Sequence, residues 1–321
     1  MKPIPCAAAV LLFVVPLGAM VFTYESVAQP SNADGSAAQN ANKAVDEKTI
    51  RAFIKQLGDD DFEKREQAEK RLIAIGAPAL KLLRETAKES TDAEVRERAG
   101  RVLRGIDQQV VRRLLESNKW GTLVDPEQDS ALRLEDGKLH IKVPPKARVL
   151  TAEIGVTNAP RVVREVDGDF HAEVIVTGPI PGDARSVLDG RWPYYAAGLL
   201  AWDDERNFLR LDRAKMYHVG QGEWRCHANW QLRHNGRLTR PGGSEDGLLD
   251  QQKPSFFRLR RTANTFAGSY SQDGKTWKEL PPIDVAFSKK LKVGVSAIQN
   301  TPAGYEAIFQ DLKIVPTKPA E

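Results

Sequence analysis

The chain has 321 residues, 41% of them hydrophobic, enough for one or two domains with real cores. Its 47 basic residues stand against 43 acidic ones, a net charge of +4, so no dominant field marks it for nucleic acid or an anionic surface. The arginine cluster Arg258, Arg260 and Arg261 lies within one predicted strand, without a basic helix or stacking platform, and no nucleic-acid partner is expected.

The chain opens like an export signal, assigned to residues 1–28. Lys2 precedes an apolar run over residues 4–22, and Ser26-Val27-Ala28 offers the small residues a signal peptidase needs. Pro16 and Gly18 inside the run favour cleavage over a stable spanning helix, so a membrane contact is expected only if the signal stays uncleaved. Cys6 stands too early for a lipobox. Cleavage leaves Cys226 alone, and no intrachain disulfide can form. The expected location is periplasmic or extracellular.

Residues 29–44, rich in Ser, Asn, Ala and Gln, read as a flexible linker. From 45 to 117 the apolar period becomes helical. Ile50, Phe53, Ile54 and Leu57 form one stripe, and Val95, Ala99, Val102, Leu103 and Ile106 another. Pro78 suits the first turn of a helix, and Thr91-Asp-Ala-Glu94 has the form of a capping box. Two segments repeat: the residues from Asp61 to Leu72 align with those from Asp92 to Leu103, sharing Asp, Glu, Arg-Glu, Ala, a basic residue and Leu. Such paired helices resemble a short HEAT-like unit. The module is either a spacer packed beside the next domain or a dock for a protein partner.

Residues 118–316 read as short alternating strands, with residues 317–321 as a tail. Tyr195-Ala-Ala-Gly-Leu-Leu-Ala-Trp202 turns at the polar residues 203–207 into Phe208-Leu-Arg-Leu-Asp-Arg213. Phe256-Phe-Arg-Leu-Arg-Arg261 turns at Ala263-Asn264 into Thr265-Phe-Ala-Gly-Ser-Tyr270, which turns at Asp273-Gly274 into Lys275-Thr-Trp-Lys-Glu-Leu280. Period-two alternation broken by Asn and Asp-Gly corners predicts antiparallel hairpins.

These hairpins, with Ser271-Gln-Asp-Gly-Lys-Thr-Trp277 and Lys292-Val-Gly-Val-Ser296, resemble a concanavalin A-like lectin/glucanase sandwich family of unknown function. That family is similar to the C-terminal module of some β-xylosidases. The resemblance covers Trp120 to Val315 and implies a two-sheet jelly roll, with no catalytic set to carry over. The expected fold class is therefore α + β: a helical HEAT-like module followed by an antiparallel β-sandwich.

Several motifs fail on spacing or context. Gly268 to Gly274-Lys275-Thr276 has one residue too many between its glycines for a phosphate loop, and it sits in a hairpin. The stretch from Ser271 to Trp277 is one residue short of a sialidase Asp-box, and Asp273-Gly274 reads as a turn with Trp277 packed behind it. Glu165, Asp167 and Asp169 alternate like the acids of laminarinase-type hydrolases, but Gly168 breaks the strand and the set reads as a turn. Cys226, His227 and His234 lack zinc spacing, and no metal ligands are assigned. No cofactor is expected. Calcium stays an alternative, with oxygens from Asp203-Asp204-Glu205 or from Asp246 and Asp250, although solvated turns account for the same acids.

Aromatic residues carry the remaining signal. Trp202 and Trp230 are expected in the core, whereas Trp192 and Tyr194 follow a loop-like Asp189-Gly-Arg. Around residues 223–231, Trp224, Cys226, Ala228 and Trp230 alternate with Arg225, His227, Asn229 and Gln231. If the apolar set faces inward, the other becomes a polar strip across a sheet. Arg225, His227, Asn229 and Gln231, with Trp192 and Tyr194, are the candidate ligand contacts, and no catalytic residue is assigned. The expected function is an exported non-catalytic protein that binds polysaccharide or another glycan. Its alternatives are a structural adaptor docking a protein through the helices and a divergent glycoside hydrolase using Glu165 and Asp167.

Overall fold

A computed structural model describes residues 45–182, 185–218, 222–240 and 247–317. The expected signal, the linker and all of the tail but Thr317 lie outside the described residues.

Four helices come first: α1 (Glu47–Gln56), α2 (Phe62–Ile75), α3 (Leu80–Glu89) and α4 (Ala93–Ser117). Asp46, Asp61 and Asp92 cap α1, α2 and α4 by accepting backbone N–H bonds that the first turn cannot satisfy internally. The capping box expected at Thr91 is displaced by one residue. Asp92 takes the amides of Glu94 and Val95 at 2.8 and 3.3 Å, because its carboxylate stands directly beneath them. Pro78 falls in a single 3-10 turn, Ala77–Ala79, ahead of α3.

Arg65 and Arg96, at matching positions of the two aligned segments, make the same hydrogen bonds. Arg65 Nη1 donates to the carbonyls of Asp59 and Asp60 at 2.6 and 3.0 Å, and Arg96 Nη1 donates to those of Ser90 and Thr91 at the same distances. Each arginine thus ties its helix to the loop before it. Ile50, Leu57, Leu72, Leu83, Ala99, Val102 and Ile106 fill the core between the helices. A buried ion pair, Arg98 to Glu69 at 2.5 Å, joins α4 to α2.

Strands β1 (Thr122–Val124), β2 (Ala131–Glu135) and β3 (Lys138–Val143) follow. Next come β4 (Leu150–Thr151), a 3-10 turn (Ala152–Ile154), β5 (Val156–Thr157), β6 (Arg161–Asp167) and β7 (Phe170–Thr177). The long strands are β8 (Tyr194–Trp202), β9 (Phe208–His218) and β10 (Glu223–His234), with β11 (Arg237–Arg240) after them. The last group is β12 (Ser255–Thr262), β13 (Thr265–Ser271), β14 (Lys278–Glu279), β15 (Ile283–Asp284), β16 (Lys290–Gln299) and β17 (Tyr305–Pro316).

They form two antiparallel sheets. One runs β1-β6-β16-β8-β9-β10-β11, and the other β14-β13-β12-β7-β17-β3-β2 with β15 beside β13. Ala263 at φ 52° and Gly274 at φ 70° supply the left-handed corners of the β12–β13 hairpin and of the turn after β13. One expected strand is shorter than its pattern. Asp273 Oδ1 accepts the amides of Lys275 and Thr276 at 2.8 and 2.7 Å, holding both in the turn, so β14 begins only at Lys278. Trp277 packs on the outside of its sheet, 3.5 Å under the Arg258 guanidinium.

Between the sheets lies one large core, including Tyr195, Leu199, Leu211, Trp230, Phe257, Phe266, Val295 and Phe309. Leu115 of α4 belongs to it and is fully buried, with Val111 packed alongside. The change from helical to strand pattern at Asn118 is therefore crossed by shared apolar packing. The opposite face of the seven-stranded sheet is covered as well. Val149, Leu150 and Val156, from the β4–β5 region, pack there with Leu200, Trp202, Phe208 and Ile298.

Candidate functional site

Alternation along β9 and β10 decides which side chains reach this covered outer face. Trp224, Cys226, Ala228, Trp230 and Leu232 of β10 turn toward the core. Arg225, His227, Asn229, Gln231 and Arg233 therefore turn outward, and on β9 so do Arg210 and Asp212. Register places Gln231 beside Arg210 and Asn229 beside Asp212. Gly198 of β8 lies flat against this row: a Cβ there would stand 2.3 Å from the Leu211 carbonyl oxygen and 2.4 Å from the Asp212 Cα.

The outward strip is not an open surface. His227 is 5% and Asn229 1% exposed, and Arg210 and Asp212 are buried to the same degree. Tyr194 closes the row from above, its hydroxyl accepting from Asn229 Nδ2 at 3.1 Å and from Arg210 Nη2 at 3.4 Å. Asn229 Nδ2 also donates to Asp212 Oδ1 at 2.7 Å, and Arg210 Nη1 stands 3.5 Å from Asp212 Oδ2. Burial pushes the Asp212 carboxyl above its usual range. Burial, and after it His218, holds the His227 imidazole down at about 4, so it is neutral at pH 7.

Beside Tyr194 a cavity of about 330 Å³ opens on the outer face. Gln231, Arg210 and Arg233 form its floor, and Glu153, from the turn after β4, forms one wall. Arg191 and Trp192 stand at its rim, Trp192 half exposed at 50%. Arg233 donates to Glu153 at 3.2 Å and to Gln231 Oε1 at 2.9 Å, and Arg210 donates to the same Gln231 oxygen. Burial, and after it Arg210, lowers Arg233 to about 10. The Asn300 amide fastens the rim: its Oδ1 accepts the Tyr194 amide at 2.7 Å and its Nδ2 donates to the Trp192 carbonyl at 2.9 Å.

The cavity thus joins three of the six candidate contacts, Gln231, Trp192 and Tyr194. The other three lie apart from it. His227 and Asn229 are sealed beneath the cover and do not line the cavity. Arg225 sits at the far end of β10, 2.6 Å from Glu223. Sequence reasoning missed Arg210, Arg233, Arg191, Glu153 and Asn300. Arg233 continues the same alternating face of β10, and Arg210 with Asp212 alternates in the same way along β9. Glu153 and Asn300 carry no such local signal.

Other candidate groups resolve into structural roles. Glu165 and Asp167 form exposed ion pairs with Lys290 and Lys289, and Asp169 accepts the Ala263 amide, so the three acids do not converge. Asp204 caps its own turn through Arg206 and Asn207, and Asp203 accepts the Ser288 amide. Asp246 lies outside the described residues. Among the described residues no group of three or more His, Cys, Asp or Glu is placed to hold a metal. The arginine cluster divides between faces: Arg258 pairs with Glu173, while Arg261 is buried on the carbonyls of Phe287, Ser288 and Lys289.

No family model matches the chain, and no curated protein does. Solved structures do. A Saccharomyces cerevisiae protein of unknown function is similar at 18% identity and TM-score 0.48, over 63% of this chain and 98% of its own. A xylan β-1,4-xylosidase from Bacillus halodurans is similar at 15% identity and TM-score 0.41, over 60% of this chain. A carbohydrate-binding module from Bacillus subtilis is similar at 14% identity and TM-score 0.32, over 60% of this chain and 91% of its own. This chain spans 38% of the xylosidase's length. The expectation that the chain is not an enzyme is corrected by these matches: besides the xylosidase they include GH43 glycoside hydrolases from Bacillus licheniformis, Bacteroides ovatus and Bacteroides eggerthii.

Proposed function

We propose that this is an exported, glycan-associated protein that takes a saccharide into the outer-face cavity. The observation that carries the reading is Trp192, a large aromatic half exposed on the rim of a cavity whose floor is polar. A sugar ring needs an apolar platform for its C–H face and charged or amide groups for its hydroxyls. Trp192 supplies the first, and Gln231, Arg233 and Glu153 supply the second. The volume is of the order seen for small-ligand sites, which begin at about 300 Å³. A signal-like N-terminus, with Lys2 ahead of an apolar run and small residues at 26–28, supports export.

A glycan array with the mature chain tests the reading, followed by titration of the best polysaccharide. Trp192→Ala should weaken that binding at least about tenfold, about 1.4 kcal/mol. Its unfolding free energy should move by no more than about 1 kcal/mol, because half of the ring is already in water and the rest packs on His218. Unchanged affinity in Trp192→Ala would remove the cavity as the site.

A further inference from the structure

We propose that the saccharide taken by this cavity is an acidic one, a sugar ring bearing a carboxylate or a sulfate. The inference rests on the glycan reading above and narrows its substrate class.

Charge is the first argument. Three guanidinium groups line the cavity, those of Arg191, Arg210 and Arg233, against one carboxylate among the described lining residues, Glu153. Glu153 is already engaged by Arg233. Arg191 is exposed at the rim and has no acidic partner among the described residues. Arg210 and Arg233 are 2% and 6% exposed, and both aim an N–H at the same Gln231 oxygen, so two buried positive groups converge under the floor. A neutral sugar leaves that arrangement uncompensated, whereas an anion seated above it is attracted by all three.

Unsatisfied polar atoms are the second argument. Arg210 Nε and Nη1, both donors, are buried without a hydrogen-bond partner. The acidic neighbours of Arg210 are Asp212, at 3.5 Å, and Glu153, which Arg233 already engages. The floor therefore keeps an excess of positive potential in a region shielded from water, where it acts more strongly than at a surface. Planar guanidinium groups also match the two oxygens of a carboxylate or sulfate.

The full mature chain can be titrated with polygalacturonate, with its fully methyl-esterified form, and with a sulfated and an unsulfated galactan. The expected result is about tenfold tighter binding of an acidic polymer than of its neutral counterpart, a preference that shrinks as salt is raised. Preference within the galacturonate pair identifies the carboxylate, and preference within the galactan pair the sulfate. Arg191→Gln, an exposed change that leaves folding intact, should bring the preference toward unity. Equal affinity for charged and neutral forms, or a preference untouched by Arg191→Gln, overturns the inference and leaves the glycan reading standing. Binding of no polymer at all overturns both.

Discussion

The two faces of β9 and β10 are both buried, but by different means. Inward, Leu209, Leu211, Ala228 and Trp230 fill volume between two sheets. Outward, Arg210, Asp212, His227, Asn229 and Arg233 are equally hidden from water, yet they are charged or polar and their cover is Tyr194 and loop residues. The inner face is stabilised by the area it removes from water, whereas the outer face is stabilised only as far as its charges and hydrogen bonds match. Burial therefore distinguishes neither core from site. Unsatisfied atoms occur on both sides: Arg210, Asp212 and Asn229 retain them on the outer face, and Arg213 Nε and Tyr305 Oη on the inner one.

The sharpest break in this comparison is Trp230→Ala. Its ring is 3% exposed, it touches Gly268 on the facing sheet, and its Nε1 donates to the Pro281 carbonyl at 2.9 Å. Urea denaturation should show a loss of ~3–5 kcal/mol. A loss below ~1 kcal/mol would mean that the inner face is not packed by volume.

Leu115→Ala extends the test to the helix that shares this core. The expected cost is ~3 kcal/mol, because the side chain is fully buried among sandwich residues. A chain beginning at Asn118 should then melt at a lower temperature than the full chain in calorimetry. Identical transitions would show that α4 adds nothing to the sandwich.

The outer face should respond to pH instead. His227 is held neutral, its value lowered from 6.5 to about 4 in the folded state. The unfolded chain therefore binds a proton that the folded chain refuses. The stability conferred by the neutral ring is fully present above about pH 6.5 and is lost as pH falls toward 4, by roughly 2–3 kcal/mol. His227→Gln should flatten that limb when unfolding free energies are measured across the window. An unaltered acid limb would show that His227 titrates freely.

Much of the fold was legible because turn chemistry and alternation are local. The Ala263-Asn264 corner, the Asp273-Gly274 corner and the inward set of β10 were all readable from neighbouring residues. Lys275 was misread because a single carboxylate, Asp273, outcompetes the strand for two amides. The candidate site was only half legible for a related reason. Period two assigns a face to Arg225, His227 and Asn229, but what covers that face is set by residues remote in sequence. Tyr194 reaches across from β8 to Asn229, and Glu153 reaches Arg233 from a turn far upstream. No local pattern records either approach.

The Asn300 amide bears on the thermodynamics of whatever enters the cavity. By gripping the backbone on both sides of Pro193, it fixes Trp192 and Tyr194 to the end of β16 before any ligand arrives. Ordering a mobile aromatic rim on binding would cost about 0.5–1.5 kcal/mol for each side chain immobilised. Here the backbone share of that ordering is completed during folding, so a ligand meets a platform whose backbone is already set and has only side-chain freedom left to give up.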